Sequence, residues 1–391
     1  GKVLVAGGRT ESDYWAYSQV YNPILNTWEA EKNMSFSRHD FTSTLLQDGR
    51  VLVAGGANTT SNGMKTCQVF DPISNQWSSV HDMNHDRRSH TATLLADGKV
   101  LVAGGDNAGG SSVASAEIYD PEADSWTDVG DLHDARIHHA AAILPNGKVM
   151  VAGGVNREYT VAINSAEFYD PATGQWTRHD YEMTVGGHHP SITVFDSNRV
   201  LLAGGTITGY SNKAEVYYID ANEFAEADDM NYARADHGAV LLPSGKVLVV
   251  GGEGTEGYGK TTELFDPDSG LWSKSGSLIL ARTYIYNSTV LLQDGRIMVP
   301  GGNGLSDLGT VEILTCECPP SCNDSACGEN SCIGYCGQCP SGDFCNTNGD
   351  CQGESGLLWK TIHEGTFQMG CSDSDADCYS NELPQHLVNV S

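Results

Sequence analysis

The sequence predicts an all-β protein made of repeated four-stranded units packed around a common axis. Three observations carry this expectation. A diglycine recurs at Gly7-Gly8, Gly55-Gly56, Gly104-Gly105, Gly153-Gly154, Gly204-Gly205, Gly251-Gly252 and Gly301-Gly302, in steps of 48, 49, 49, 51, 47 and 50 residues. A period of about 50 residues marks a repeat architecture. Each diglycine closes an apolar run, such as Val51-Leu52-Val53-Ala54 or Val247-Leu248-Val249-Val250, and each such run follows a tight-turn signal such as Asp48-Gly49, Asp97-Gly98 or Asn146-Gly147. Finally, a Glu-x-Tyr-Asp-Pro segment or a near copy follows, and then an aromatic residue: Trp28, Trp77, Trp126, Trp176, Phe224 and Trp272.

Each element has a physical reason. Asp-Gly and Asn-Gly supply the positive φ angles of a two-residue hairpin, so strands 1 and 2 of a unit are antiparallel neighbours. Strand 1 is represented by His90-Thr91-Ala92-Thr93-Leu94-Leu95. Strand 2 is apolar at every position over four or five residues, which fits a strand buried on both faces, as in sheets stacked face to face. The diglycine that ends it admits neighbouring backbone at close range. Strand 3 carries the Glu-x-Tyr, and strand 4 carries the Trp, a large apolar ring able to fill the gap between adjacent sheets.

Diglycine, Tyr and Trp at this period resemble the Kelch repeat over roughly residues 1–315. The resemblance implies a β-propeller with one four-stranded sheet per blade. Blades 2–6 are expected near 37–80, 86–130, 135–180, 187–227 and 234–275. Residues 1–31 would supply three strands of a first blade, and residues 281–314 three strands of a seventh, which lacks a Trp partner. Seven blades are therefore expected, with six as the alternative. The first repeat lacks its strand 1, so the chain is expected to be a piece of a longer protein.

Composition narrows the function classes. The chain has 22 Lys and Arg against 50 Asp and Glu, a net charge of −28. A nucleic-acid-binding domain normally carries a basic patch or stripe, and none is visible, so no nucleic-acid partner is expected. No run of 18 apolar residues is present, so no membrane span is expected either. Nine of the 12 cysteines fall within 316–351. That density marks a disulfide scaffold in an oxidising compartment, and the protein is expected to be extracellular or at the cell surface.

Antiparallel connectivity places the short 1–2 and 3–4 turns on one face of the propeller, and the variable 2–3 and 4–1 loops on the other. Variable loops on a rigid scaffold are where recognition sits. Tyr14, Trp15, Tyr17, Tyr159, Tyr210 and Tyr258 fall in 2–3 loops and are expected to contact a protein or glycan ligand, the alternative being that they fold back on their own blades. Arg87, Arg136 and Arg234, with Arg38, stand at one fixed spacing upstream of a diglycine, where strand 1 begins on that face. They are expected either to pair a ligand's polar groups or to pair the Glu or Gln that recurs at Gln19, Gln68, Glu117, Glu167, Glu215, Glu263 and Glu312, because a buried carboxylate is costly unless paired.

His90, His139 and His237 also share one spacing to the next diglycine, a little closer to it than the Arg, with His189 one position off that register. They allow a ring of imidazoles around the axis, against the plainer alternative of hydrogen bonding at the strand start. The second is favoured, and no metal or cofactor is expected. Radical-copper oxidases also use a Kelch-like propeller, but their copper site needs an adjacent Tyr-His pair, and this chain has none.

In 316–351, Cys316, Cys318, Cys322, Cys327, Cys332, Cys336, Cys339, Cys345 and Cys351 lie among Gly, Pro, Asn and Ser, so cross-links must supply the order. This segment is expected to be a stiffened linker, with Cys371 and Cys378 also counted among the disulfide cysteines. In 352–391, Gly365-Thr366-Phe367-Gln368-Met369-Gly370 and Glu382-Leu383-Pro384-Gln385-His386 resemble the opening of the formylglycine-generating enzyme (sulfatase-modifying factor) domain. That family's catalytic cysteines and metal ligands lie downstream of the matching stretch, so no catalysis is carried over to this chain. The resemblance implies downstream domains of the same polypeptide as partners. It also leaves a second functional possibility, a propeller that positions a substrate for that enzyme.

Overall fold

The computed structural model describes residues 1–10, 13–158, 161–255, 257–286, 288–304 and 308–315, together with the strands Phe344–Cys345, Cys351–Gln352, Leu358–Thr361 and His386–Val390. The described residues contain no helix. Seven antiparallel sheets follow one another around an axis, each with four strands in the order inner to outer, and the first carries the additional short strand Lys32–Asn33. The third blade shows the pattern: Thr91–Leu94 innermost, then Val100–Ala103, Ala116–Asp120 and, outermost, Ser125–Asp128. The six-bladed alternative is excluded.

The second strands form the core. Val51–Ala54, Val100–Ala103, Val149–Ala152 and Val247–Val250 are buried at every position. Each fully buried Val or Leu contributes roughly 1.5–3 kcal/mol. The inner strands, by contrast, are only partly buried, as at Thr91–Leu94 and Ala140–Ile143, because one face looks into the central channel.

Seven apolar clusters fill the seven seams between blades. The seam between blades 2 and 3 joins Leu52 and Val69 to Val100, Tyr119 and Trp126. The seam that closes the ring joins Val3, Val5 and Tyr21 of the first blade to Leu292, Met298, Val311 and Ile313 of the seventh. The repeated aromatic packs on the ring facing it across strands 3 and 4, with centroids 5.0 Å apart for Tyr21–Trp28 and Tyr119–Trp126, and 5.2 Å apart for Phe70–Trp77, Tyr169–Trp176 and Phe265–Trp272. The Trp is thus the wedge between sheets that the sequence implies.

The diglycine is required by both conformation and space. Gly104 has φ 66° and Gly105 φ 102°. A Cβ on Gly104 would lie 2.6 Å from the Arg136 carbonyl oxygen of the next blade, and one on Gly105 would lie 2.6 Å from the Arg88 carbonyl oxygen of its own. The close approach is used to bond one blade to the next. The second glycine's N–H donates to the following blade's carbonyl in Gly8 to Arg38 (2.9 Å), Gly56 to Arg87 (2.9 Å), Gly105 to Arg136 (2.9 Å), Gly154 to Gly187 (2.7 Å) and Gly252 to Arg282 (2.8 Å). Gly55, Gly153, Gly204, Gly205 and Gly251 also have positive φ.

Two strands that the repeat pattern lacks come from 352–391. Leu358–Thr361 pairs with Val311–Thr315 as the outer strand of the seventh blade, with Leu314 opposite Trp359 in the register where Tyr119 faces Trp126. His386–Val390 pairs with Lys2–Ala6 as the inner strand of the first. The cysteines Cys316, Cys318, Cys322, Cys327, Cys332, Cys336, Cys339, Cys371 and Cys378 lie outside the described residues, as do Gly365–Gly370 and Glu382–Gln385. Of Cys345 and Cys351 only the backbone is described, as opposite positions in a short hairpin. No described helix is long and apolar enough to cross a membrane.

Candidate functional site

The candidate site is the mouth of the central channel on the 2–3 and 4–1 loop face. It is built by one residue from each of blades 2 to 7, which in blades 2 to 6 stands two positions before the inner strand. Asp40, Ser89, His138, His189 and Asp236 share a single spacing to the diglycine that follows each of them. All five have a left-handed backbone, with φ 52°, 53°, 56°, 48° and 56°, and Tyr284 of the seventh blade joins them at 56°. Asp and His are among the residues that tolerate this region, yet such a residue costs of order 1–3 kcal/mol and persists only where its surroundings over-determine it. Here backbone bonds run around the ring: Ser89 N–H to Asp40 O (2.8 Å), His138 N–H to Ser89 O (3.2 Å), His189 N–H to His138 O (2.9 Å) and Ile285 N–H to Asp236 O (3.1 Å).

Of these, Asp40, Ser89, His138 and His189 line a cavity of about 240 Å³ that continues between the inner strands. The His138 and His188 Nδ1 atoms are 3.0 Å apart, and the His138 ring stacks on His189 with centroids 4.2 Å apart. His189 in turn lies 4.1 Å from the Tyr286 ring and 3.5 Å, Nε2 to Oδ1, from Asp236. Asp236 Oδ1 is buried without a hydrogen-bond partner. Burial, with the negative charges of Glu253 and Asp40 adding to it, pushes the Asp236 carboxyl up to about 7. Asp40 differs. Burial alone would raise it, but the hydrogen bond and charge of His39, with His138 and Arg9, hold it well below the usual carboxylate range. Burial pushes His138 down to about 4, with His188, Arg157 and Arg88 acting in the same direction.

The 2–3 loops fold over this mouth. The residue just before the left-handed turn bridges to the residue after the diglycine in His39–Ala57, Arg88–Asp106 and His188–Thr206. Asp106, fully buried, holds Arg157 at 3.0 Å and Arg88 at 3.7 Å.

Tyr14 packs on His39 with ring centroids 4.9 Å apart, at the channel rim. Trp15 stacks on Tyr17 at 5.3 Å, Tyr17 beginning the strand Tyr17–Asn22 rather than lying in the 2–3 loop as expected, and the buried Trp15 Nε1 has no hydrogen-bond partner. Tyr210 is hydrogen-bonded to Glu253 of the next blade, and burial with that bond pushes its hydroxyl up to about 12. Tyr258 pairs through its backbone with Glu253, and Tyr159 lies outside the described residues.

For Arg87, Arg136 and Arg234 a ligand contact is corrected. Their side chains are 0 %, 0 % and 2 % exposed. Each guanidinium bonds inside its own blade: Arg87 donates to the Gly104 (2.7 Å) and Ser115 (2.9 Å) carbonyls and to Glu117 (2.9 Å). The Arg–Glu pairing is thus their role. Arg282 makes the same contacts with Glu312 and the Gly301 carbonyl, but stands further upstream of its diglycine than the others, so a small insertion hid it in the sequence.

The repeated histidines are likewise structural. His90 and His139 bond through Nε2 to Thr42 Oγ1 (3.0 Å) and Thr91 Oγ1 (2.9 Å) of the preceding blade, and their Cε1 atoms cover the places where a Cβ on Gly55 or Gly104 would sit. The channel residues stand one position upstream. That register was legible in one respect: it stays polar from blade 2 to blade 6 while its chemistry changes.

Residues 1–205 match the family described as the KLHDC2/KLHL20/DRC7 Kelch-repeats domain. No curated protein matches the chain. Among solved structures, the chain is similar to a fungal alcohol oxidase, described as novel with catalytic diversity among the AA5 family and in complex with copper: the TM-score is 0.64 and the identity 22%, over 78% of this chain and 68% of that one. It is also similar to YjhT, with a TM-score of 0.58 and 16% identity over 72% of this chain and 96% of that one. At these identities the likeness is one of fold.

Proposed function

Because the chain belongs to the KLHDC2/KLHL20/DRC7 Kelch-repeat family, we propose that it is a non-catalytic interaction module whose partner binds the 2–3 and 4–1 loop face over the channel mouth. One observation carries this: the left-handed turns place Asp40, Ser89, His138 and His189, whose chemistry changes around the ring, at one end of the channel. Among the described residues, the opposite face carries short repeated turns. A rigid scaffold that varies its chemistry at one such ring of positions has the form of a recognition surface. The partner is a protein or a glycan, contacted by Tyr14, Trp15, Tyr17 and Tyr210 around the rim.

The nine cysteines of 316–351 support an extracellular or cell-surface location. Non-reducing mass mapping of secreted protein should find at least four disulfides in that segment, and mostly free thiols would overturn the location. The second possibility, a propeller that presents substrate to a downstream formylglycine-generating type of enzyme, rests on the motifs at 365–370 and 382–386 alone.

Binding of the full chain on glycan arrays and in cross-linking experiments tests the face. Tyr210→Ala and Trp15→Ala should weaken any ligand found, while Asp97→Ala and Asn146→Ala in the opposite turns should not. Loss from the turn side alone would show the face to be inverted.

A further inference from the structure

We propose that His138, His188 and His189 form a site for a divalent first-row transition ion of the imidazole-binding kind, such as Zn²⁺ or Cu²⁺, on the seam between the fourth and fifth blades. One ligand nitrogen from each of the three rings can be chosen so that all lie within 4.8 Å of one another. His138 and His188 already face each other through Nδ1 at 3.0 Å. Zinc–nitrogen bonds of about 2.0–2.1 Å in a tetrahedral site set neighbouring ligand nitrogens about 3.3–3.4 Å apart, so small side-chain rotations suffice.

The rings are held from behind. His138 and His189 both sit in left-handed turns joined by the His189 N–H to His138 carbonyl bond. His188 is fixed by backbone bonds in both directions with Thr206. The far nitrogen of His138, Nε2, contacts Ser89 Oγ at 3.2 Å. Ligand histidines are commonly oriented by such a contact on the other ring nitrogen.

A second, independent observation points to a cation. Asp236 is 7% exposed, its Oδ1 has no hydrogen-bond partner, and it lies 3.5 Å from His189 Nε2. A buried carboxylate oxygen without a donor is costly, and positive charge delivered to the imidazole beside it would offset that cost. The nearby cations do not fill this role: Arg88 and Arg157 are both directed to Asp106. The buried histidines one residue downstream of the ring, His90 and His139, make inter-blade hydrogen bonds instead, which separates packing imidazoles from channel imidazoles within one repeat.

The site is tested on the full chain, freed of metal with a chelator, by calorimetric titration with Zn²⁺, by electron paramagnetic resonance with one equivalent of Cu²⁺, and by melting curves with and without Zn²⁺. His188→Ala removes a ligand from a residue outside the left-handed turns, and His138→Asn keeps a residue type that tolerates such a turn. Wild type should bind one Zn²⁺ with a rise in melting temperature, since an ion that bridges two blades binds only the folded state. The Cu²⁺ spectrum should show nitrogen hyperfine coupling. Each variant should weaken binding roughly tenfold or more and lose the thermal shift. Absence of stoichiometric binding, or binding left unchanged by His188→Ala, would overturn the site; the second result would place the ion elsewhere, for example on the cysteines of 316–351. Should His138→Asn fail to fold, His188→Ala decides alone.

Discussion

Arg136 Nη2 donates to Glu167 Oε1 at 2.7 Å, and neither side chain exposes any surface. The same guanidinium donates to the Gly153 (2.9 Å) and Ser165 (3.1 Å) carbonyls, while Glu167 accepts the backbone N–H groups of His133 (2.6 Å) and Asp134 (3.1 Å). One ion pair thus fastens the 4–1 loop, the diglycine and strand 3 of a single blade. Removing one partner of a buried pair leaves an uncompensated charge and costs about 3–5 kcal/mol. Arg136→Ala should lower the unfolding free energy by that amount in urea titrations. Glu167→Gln should cost less, because the second blade already uses Gln68, which bonds the Ser35 N–H and hydroxyl, beside Arg38. Equal losses from the two substitutions would contradict the pairing.

Trp126 packs on Tyr119, donates Nε1–H to the His81 carbonyl at 2.9 Å and fills the seam between blades 2 and 3. Trp126→Ala should destabilise by about 3–5 kcal/mol. Ile24→Ala, at a residue 85% exposed, should change stability by less than about 0.5 kcal/mol. Denaturant midpoints of the two variants provide the comparison, and similar midpoints would rule out the wedge role.

Gly104 and Gly147 both have positive φ, 66° and 83°, but only Gly104 is crowded: a Cβ there meets the Arg136 carbonyl at 2.6 Å, whereas Gly147 has nothing within 4 Å. Gly147→Ala should cost the backbone term alone, about 1–2 kcal/mol. Gly104→Ala should cost clearly more, since the clash is with the backbone of the next blade. Thermal melts of the pair separate conformational strain from steric exclusion.

His237 is buried with both ring nitrogens lacking a hydrogen-bond partner. Burial, with Arg234 nearby, pushes it from 6.5 down to about 3. Between those values the unfolded chain binds a proton that the folded chain does not. Its contribution to stability is therefore undiminished above pH 6.5 and is lost progressively as pH falls from 6.5 toward 3. In the next blade Ile285 occupies the corresponding place over the diglycine. His237→Ile should flatten part of the acid limb of a stability–pH curve without destabilising the protein at mildly alkaline pH. An unchanged acid limb would refute the assignment.

The repeat, the strand order within a blade, the diglycines and the wedge aromatics are legible in the amino-acid order alone. Each is a local requirement: a positive φ, a run buried on both faces, a ring large enough to fill a seam. Each is written many times over, so coincidence averages out. Ring closure was not legible, because Leu292 and Met298 meet Val3 and Tyr21 only after seven blades have turned the chain back on itself. Nor was the place of Trp359, separated from Leu314 by the cysteine-rich segment. The channel mouth was missed by a single position. His138 and His139 are adjacent, yet a left-handed turn directs one toward His188 at the channel mouth and the other toward Thr91 of the neighbouring blade. Which of two neighbouring side chains faces the axis depends on backbone dihedrals that the bonds between blades impose, and those bonds exist only in the assembled ring.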